Sequence, residues 1–265
     1  MPTTERSERG ASPGGARANV LTYAVLLAVT AVAWAHVVWV AVTDDMAGMD
    51  MVMTPSVPEG LAYTAGWGVM MIAMMLPSAL PMIALYAATR RVTAAPGPAA
   101  LPVALFTLVY LGLWAVTGIP MYLASVALSG ADADARAYAT AGMLVVAGAF
   151  QLSSLKQVCL RRCRSPLGFF LGHWRRGWRG GLQIAGAHAA YCLGCCWALM
   201  VVLVGAGAMG LPWVLLVAAV VAGEKLLPGG EWIARAAGLA LLVLGAAVAL
   251  QPDLVSALRG GGLAM

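Results

Sequence analysis

The chain has 265 residues, of which 62% are apolar and only 10% are charged, and its mean hydropathy is +0.85. Soluble domains are about 45–50% apolar and about 25% charged. This composition therefore excludes a soluble enzyme domain, a disordered chain and a nucleic-acid-binding domain, and it makes the lipid bilayer the expected partner. The net charge of +5 would otherwise suggest nucleic acid, but membrane topology explains it better. An odd number of cysteines, five, argues against a secreted disulfide framework.

The predicted fold is all-α: a polytopic transmembrane helical bundle of about seven spans, each needing about 20 apolar residues. Residues 1–18 are polar and are predicted to form a disordered cytoplasmic tail. Residues 19–251 are predicted to form the transmembrane domain, and residues 252–265 a short C-terminal tail. The apolar runs, of which the sixth is short, are Asn19–Val42, Leu61–Ala88, Ala100–Ala127, Ala137–Val158, Gly181–Ala206, Leu211–Gly223 and Trp232–Leu250.

Basic residues predict the orientation of this bundle, because lysine and arginine accumulate on the cytoplasmic side of a membrane. Seven spans divide the connecting segments into two alternating sets. One set holds 14 of the 16 basic residues, and the other holds only Arg136 and Arg259. The split predicts a multi-pass protein of the bacterial inner membrane, with a cytoplasmic N-terminus and an external C-terminus.

The fifth run carries the strongest chemical signal. Successive residues of a helix lie about 100° apart, so His188, Cys192 and Cys195 share one narrow face, with Cys196 at its edge. Imidazole and thiolate are donors that suit Cu(I), and the same set also suits Zn(II). This pattern predicts a transition-metal site with copper favoured and zinc possible. The alternative is that the cysteines are small packing residues.

The second run contains four methionines within six residues. They are Met70, Met71, Met74 and Met75. Pro77 and Pro81 follow, and each removes a backbone donor from the helix. Interrupted helices often mark the binding site of a transporter, and thioether sulfur is a soft ligand for Cu(I). The methionines are therefore candidate ligands along a metal path, or alternatively core filler.

The loop after the first run is predicted to lie outside and to combine thioethers with carboxylates, which together suit copper. Its candidate ligands are Met49, Met51 and Met53. His36, near the outer end of the first run, is a candidate for passing a metal inward, or a residue that hydrogen-bonds within the bundle.

A basic segment before the fifth run contains Cys159 and Cys163 at a spacing of four residues. With His173 they would make an incomplete metal site, and as a pair they could exchange electrons. Glu224 and Lys225 close the sixth run. Ionisable residues near a membrane are candidates for function, although these two could simply meet water at the cytoplasmic surface.

Four segments resemble one family, the predicted metal-binding integral membrane proteins of domain-of-unknown-function family 2182. The segments are Met70–Met82, Lys156–Pro166, Gly186–Met200 and Ala222–Leu227. The resemblance covers roughly residues 20–250 and implies a bacterial membrane protein with a suspected metal site and no established activity. The matching positions are Met74, Met75, Pro77, Cys159, Cys163, Cys192, Cys195, Cys196, Glu224 and Lys225.

The leading functional prediction is a membrane protein that binds a soft transition metal, most simply copper, for transport, storage or delivery across the inner membrane. A metal chaperone or a membrane complex would be its protein partner. One alternative is a membrane thiol–disulfide oxidoreductase that uses Cys192 and Cys195, and another is an assembly subunit with inert cysteines. No glycine-rich loop ends in Gly-Lys-Ser/Thr, and a non-enzymatic role is favoured.

Overall fold

The apolar runs fold into helices, and the all-α prediction is confirmed. The computed structural model describes residues 13–43, 55–92, 100–173, 177–207 and 210–259, and these ranges contain no β-strand. Their helices are α1 (Pro13–Thr43), α2 (Val57–Val92), α3 (Ala100–Val116), α4 (Gly118–Ser129), α5 (Ala133–Leu152), α6 (Ser154–Arg164), α7 (Pro166–His173), α8 (Gly177–Gly205), α9 (Leu211–Leu226), α10 (Gly230–Leu250) and α11 (Leu254–Leu258).

Several helices are long and apolar enough to cross a membrane. Within the described ranges, five segments qualify, and the α5–α6 pair makes a sixth if it is counted as one bent span. Helix α9 has 16 residues, and at about 1.5 Å per residue it is shorter than a hydrocarbon core of about 30 Å. The count of seven spans therefore stays a prediction.

Helix boundaries differ from the predicted ones at three places. Helix α1 begins at Pro13, inside the segment expected to be disordered. The third run is divided at Thr117 into α3 and α4. The fourth run, expected to be one span, bends by 64° between α5 and α6. The Ser153 side chain accepts a hydrogen bond from the Lys156 amide and so caps the first turn of α6.

Contacts between helix ends show which ends lie together. The Thr140 hydroxyl of α5 and the Arg259 guanidinium each donate to the Gly205 carbonyl at 3.4 Å. At the opposite end of the bundle, Arg164 donates to the Leu227 carbonyl at 2.7 Å. Arg136 lies one turn before Thr140 on α5, so Arg136 and Arg259, the two basic residues predicted to be external, lie at the same end. Arg164, one of the 14 predicted to be cytoplasmic, lies at the other end.

Large apolar side chains cover much of the outer surface, especially on α1 and α10. Val32, Val42, Val243 and Leu250 are all exposed. A soluble monomer rarely exposes so extended an apolar surface, whereas lipid tails accept it without cost. The surface is that of a membrane protein, in agreement with the helix lengths.

Helices α5 and α10 pack closely through glycines. A Cβ atom at Gly148 would lie 2.8 Å from the Gly238 carbonyl oxygen and 2.8 Å from the Leu242 side chain. Gly238 and Gly245 are equally crowded from the α10 side. Small residues let two membrane helices approach until their backbones touch. Helices α5 and α10 therefore pack backbone to backbone along these glycines.

Replacing Gly148 with alanine should separate α5 from α10 and lower the stability of the bundle by about 1–3 kcal/mol, the usual cost of overpacking. Gly142 on the same helix is the matched control, because a Cβ there meets nothing within 4 Å. Gly142→Ala should be neutral or slightly stabilising, since alanine favours helix. Thermal unfolding in detergent measures both variants, and equal melting temperatures would contradict the close packing.

Candidate metal centre

Five helices converge on one buried region beside the α5–α6 bend. The bend turns α6 out of line with α5 and lays it against α8. Helices α2, α3 and α9 close the region from the other sides, through Met75, Tyr110 and Lys225. The site is thus built from segments far apart in the chain, and its position follows from the bend.

Four cysteines supply sulfur atoms to this region, three from α8 and one from α6. The Cys195 sulfur lies 3.3 Å from the Cys196 sulfur and 3.8 Å from the Cys163 sulfur. The Cys195 thiol also donates to the Cys192 carbonyl at 3.1 Å. The α8 cysteines are at most 1% exposed, and all four thiols are free. We call Cys163, Cys192, Cys195 and Cys196 the sulfur cluster.

Lys225 and Tyr110 both contact the Cys192 sulfur. The Lys225 amine donates to it at 3.0 Å, and the Tyr110 hydroxyl lies at the same distance. Lys225 further donates to the Ser78 hydroxyl at 3.2 Å and to the Met75 sulfur at 3.8 Å. Cys192 is therefore held between a cationic and a phenolic group.

A buried ion pair supports the sulfur cluster from the side of α9. The Lys156 amine lies 2.6 Å from a Glu224 oxygen, and neither side chain is exposed. Gln151 donates to the other Glu224 oxygen at 2.8 Å. Lys156 also donates to the Cys195 carbonyl at 3.1 Å. The pair thereby connects α6, α8 and α9 directly behind the cysteines.

Among the described residues, no hydrogen bond joins Cys159 to the sulfur cluster. Cys159 packs against the backbone of α8, where a Cβ atom at Gly194 would lie 3.1 Å from its sulfur. The two cysteines of α6 thus have different surroundings, because Cys163 contacts Cys195. Among the described residues, Cys159, Cys163 and His173 do not form a group arranged to hold a metal ion, and the His173 ring stacks on Phe169 at 4.3 Å between ring centroids.

His188 lies one turn from Cys192 but faces an aromatic pocket. Its ring stacks on Tyr110 at 5.5 Å and meets the edge of Phe169 at 5.6 Å. It is 3% exposed, and no described residue hydrogen-bonds its Nδ1 atom. Buried polar atoms are normally paired, so the Nδ1 atom of His188 is an exception among the described residues.

The four methionines of α2 are all buried, at 3% exposure or less. They are Met70, Met71, Met74 and Met75. Met75 contacts Lys225, as given above, and its carbonyl accepts hydrogen bonds from Tyr110 and Ser78. Helix α2 continues through Pro77 and Pro81 without a break. The methionines therefore lie in the core, and Met75 contacts Lys225, which in turn contacts Cys192.

The remaining predicted ligands lie elsewhere. His36 is exposed on α1 and has Trp39 beside it at 6.1 Å between ring centroids. The external-loop candidates fall outside the described residues; they are Met49, Met51 and Met53. In the described part of the chain, no group of three or more His, Cys, Asp or Glu side chains is arranged to hold a metal ion as the protein stands.

Sequence reasoning missed several residues of this region. Lys156 looked like one more basic residue of a cytoplasmic loop, yet it is fully buried. Its partner Glu224 is 68 residues away in sequence, and no spacing rule links two such positions. Gln151 was a usable signal, because an amide in an apolar helix needs a polar partner. Tyr110 and Ser78 offered none.

The fold and the site together define the class: a polytopic helical membrane protein with buried, reduced cysteines next to buried charged groups. A family model described as copper chaperone PpoB2 matches residues 64–248, a range that includes every residue of the sulfur cluster and its supporting contacts. The chain belongs to this copper chaperone family. No curated protein and no solved structure matches it. The match establishes a copper-related family and does not point to zinc.

Proposed function

We propose that the protein is a membrane-embedded copper chaperone that holds Cu(I) as cargo on the sulfur cluster and passes it to a protein partner. The observation that carries the proposal is the contact between Cys163 and Cys195, which brings sulfur from two helices to one point although the residues are 32 positions apart. Packing alone does not require thiols at both positions, whereas Cu(I) prefers soft sulfur donors.

The spacing of the sulfurs supports metal binding. With metal–sulfur bonds of about 2.3 Å, two sulfurs of a trigonal site lie about 4.0 Å apart. The distance from Cys195 to Cys163 is 3.8 Å, and Cys196 is nearer still. The thiols now hydrogen-bond to one another and to the backbone, so loading requires them to rotate toward a common centre. Cys192 joins them when Lys225 releases its sulfur.

The same geometry disfavours the oxidoreductase alternative. Helix α8 is continuous from Cys192 to Cys195, and residues three apart on a helix have Cβ atoms about 5–6 Å apart. A disulfide requires about 3.5–4.5 Å. Forming the bond would therefore distort α8 in the middle of the bundle.

Capture and relay complete the proposal. Met70, Met71, Met74 and Met75 would offer thioether ligands along α2, ending at Met75 beside Lys225. His188 would offer its unpaired nitrogen next to Cys192. The external methionines and His36 would collect copper at the outer face of the bacterial inner membrane, with the N-terminus in the cytoplasm.

Purification in detergent under anaerobic, reducing conditions tests the site. Wild-type protein given Cu(I) should retain about one equivalent after gel filtration, measured by elemental analysis, because a multidentate thiolate site holds soft metals tightly. The double variant Cys192→Ser, Cys195→Ser should lose it. X-ray absorption at the copper edge should show sulfur neighbours at about 2.3 Å.

Cys159→Ser is the matched control, since Cys159 is a thiol of the same helix that packs at Gly194 and, among the described residues, is not hydrogen-bonded to the sulfur cluster. It should retain full copper content, whereas Cys163→Ser should bind copper more weakly. A parallel wild-type preparation is made anaerobically but without reductant. If it holds no copper above background and has Cys192 and Cys195 joined in a disulfide, the proposal is rejected and the oxidoreductase is favoured.

A further inference from the structure

Lys225 is a buried cation without a carboxylate partner. It is 8% exposed, and among the described residues its amine donates hydrogen bonds to the Cys192 sulfur, the Ser78 hydroxyl and the Met75 sulfur. Among the described residues, no carboxylate forms an ion pair with it. Burying an unpaired charge is costly, so a charge held in this way has to be balanced by the cysteines.

The other buried charges of the region cancel. Lys156 and Glu224 are paired at 2.6 Å and neither is exposed, so together they add no net charge behind Cys195. Among the described residues, the buried charge that contacts the sulfur cluster and lacks a carboxylate partner is therefore that of Lys225. Any cargo that enters has to be accommodated beside it in a region of low dielectric constant.

We propose that Lys225 makes the sulfur cluster selective for a monovalent soft cation over a divalent one. This inference rests on the proposed copper site. One Cu(I), two thiolates and one ammonium sum to zero charge. One Zn(II) with the same groups leaves a net positive charge, and neutrality then needs a third ionised cysteine.

Coulomb repulsion strengthens this preference. A divalent ion within a few ångströms of an ammonium is repelled about twice as strongly as a monovalent ion, and at that distance one unit of charge matters even at a protein-like dielectric constant. The contact at Cys192 places Lys225 directly beside a candidate ligand. Lys225 is thus a specificity-determining residue, and it would act by its charge without being a ligand itself.

Competition titrations test this on the full-length protein in detergent. Cu(I) and Zn(II) affinities are measured with a chromophoric chelator for each ion, under reducing conditions. Lys225→Leu and Lys225→Gln remove the charge without adding a sulfur donor, and Lys225→Arg keeps it. We expect both neutral variants to shift the affinity ratio toward Zn(II) by roughly 100-fold, as expected for removing one nearby unit charge. Lys225→Arg should stay within a few-fold of wild type.

The outcomes separate the two proposals. Cu(I) binding by wild type with an unchanged ratio in both neutral variants would overturn the role of Lys225 and leave the copper site intact. A wild type that binds no Cu(I) would reject both. If the neutral variants fail to fold, Cd(II), a thiophilic divalent ion, tests the wild type directly: stoichiometric Cd(II) binding would overturn the inference, and exclusion of Cd(II) alongside Cu(I) binding would support it.

Discussion

Replacing Glu224 with alanine should lower the stability of the bundle by about 3–5 kcal/mol, the cost of leaving one member of a buried ion pair without its partner. Glu224 accepts hydrogen bonds from both Lys156 and Gln151, and it is completely buried. Its removal leaves the Lys156 ammonium without its counter-charge and the Gln151 amide without its hydrogen-bond acceptor. Thermal unfolding in detergent, followed by circular dichroism, measures the loss.

Two controls make the cause specific. The double variant Lys156→Met, Glu224→Leu removes both charges and should regain most of the stability, because apolar side chains of similar size often replace a buried pair without loss. Asp134→Ala removes an exposed carboxylate from the first turn of α5 and should cost less than about 1 kcal/mol. If Glu224→Ala melted at the same temperature as wild type, the Lys156–Glu224 ion pair would not contribute to the stability of the bundle.

Alkaline phosphatase fused after Arg136 or Arg259 should be active, and the same enzyme fused after Arg91 or Arg176 should be inactive. This enzyme works only on the external side of the inner membrane, so the expected effect is all or none. The 14-to-2 division of basic residues predicts it, and the shared Gly205 contacts that place α5 and Arg259 at one end of the bundle support it.

A fusion after Glu59, near the start of α2, should also be active. The Ser56 amide just before α2 donates to the Tyr122 hydroxyl of α4, and α4 leads directly into the start of α5. The start of α2 therefore lies toward the same end of the bundle as Arg136. Immunoblots should show equal amounts of all fusions, so that inactivity is not low expression. The reverse pattern at two or more sites would reject the orientation, and with it external capture of copper.

The helical fold could be predicted because each apolar run is a local property of the sequence. The α5–α6 bend could not, since Ser153 resembles any polar residue within an apolar run, and its capping role depends on where α6 packs. The cysteines of α8 were found through their helical spacing. The contact between Cys163 and Cys195 depends on the bend, so no rule based on spacing along the sequence could predict it.

His188 shows a second limit of sequence reasoning. Its spacing correctly places it on the face that carries Cys192, but a shared face does not determine what the side chain touches. Aromatic residues from α3 and α7 occupy the space around the imidazole. Neighbours supplied by other helices decide between ligation and packing, and periodicity within one helix carries no information about them.

The angle of the bend at Ser153 also determines where Cys163 lies. Cys163 lies ten residues along α6, about 15 Å from the bend at about 1.5 Å per residue, so a rotation of about 10° would displace it by about 2.6 Å. That distance is about the length of one metal–sulfur bond. If copper binds at the proposed site, a change of about 10° in the angle between α5 and α6 would therefore be enough to move the Cys163 sulfur out of reach of the ion and to lower the number of sulfur ligands.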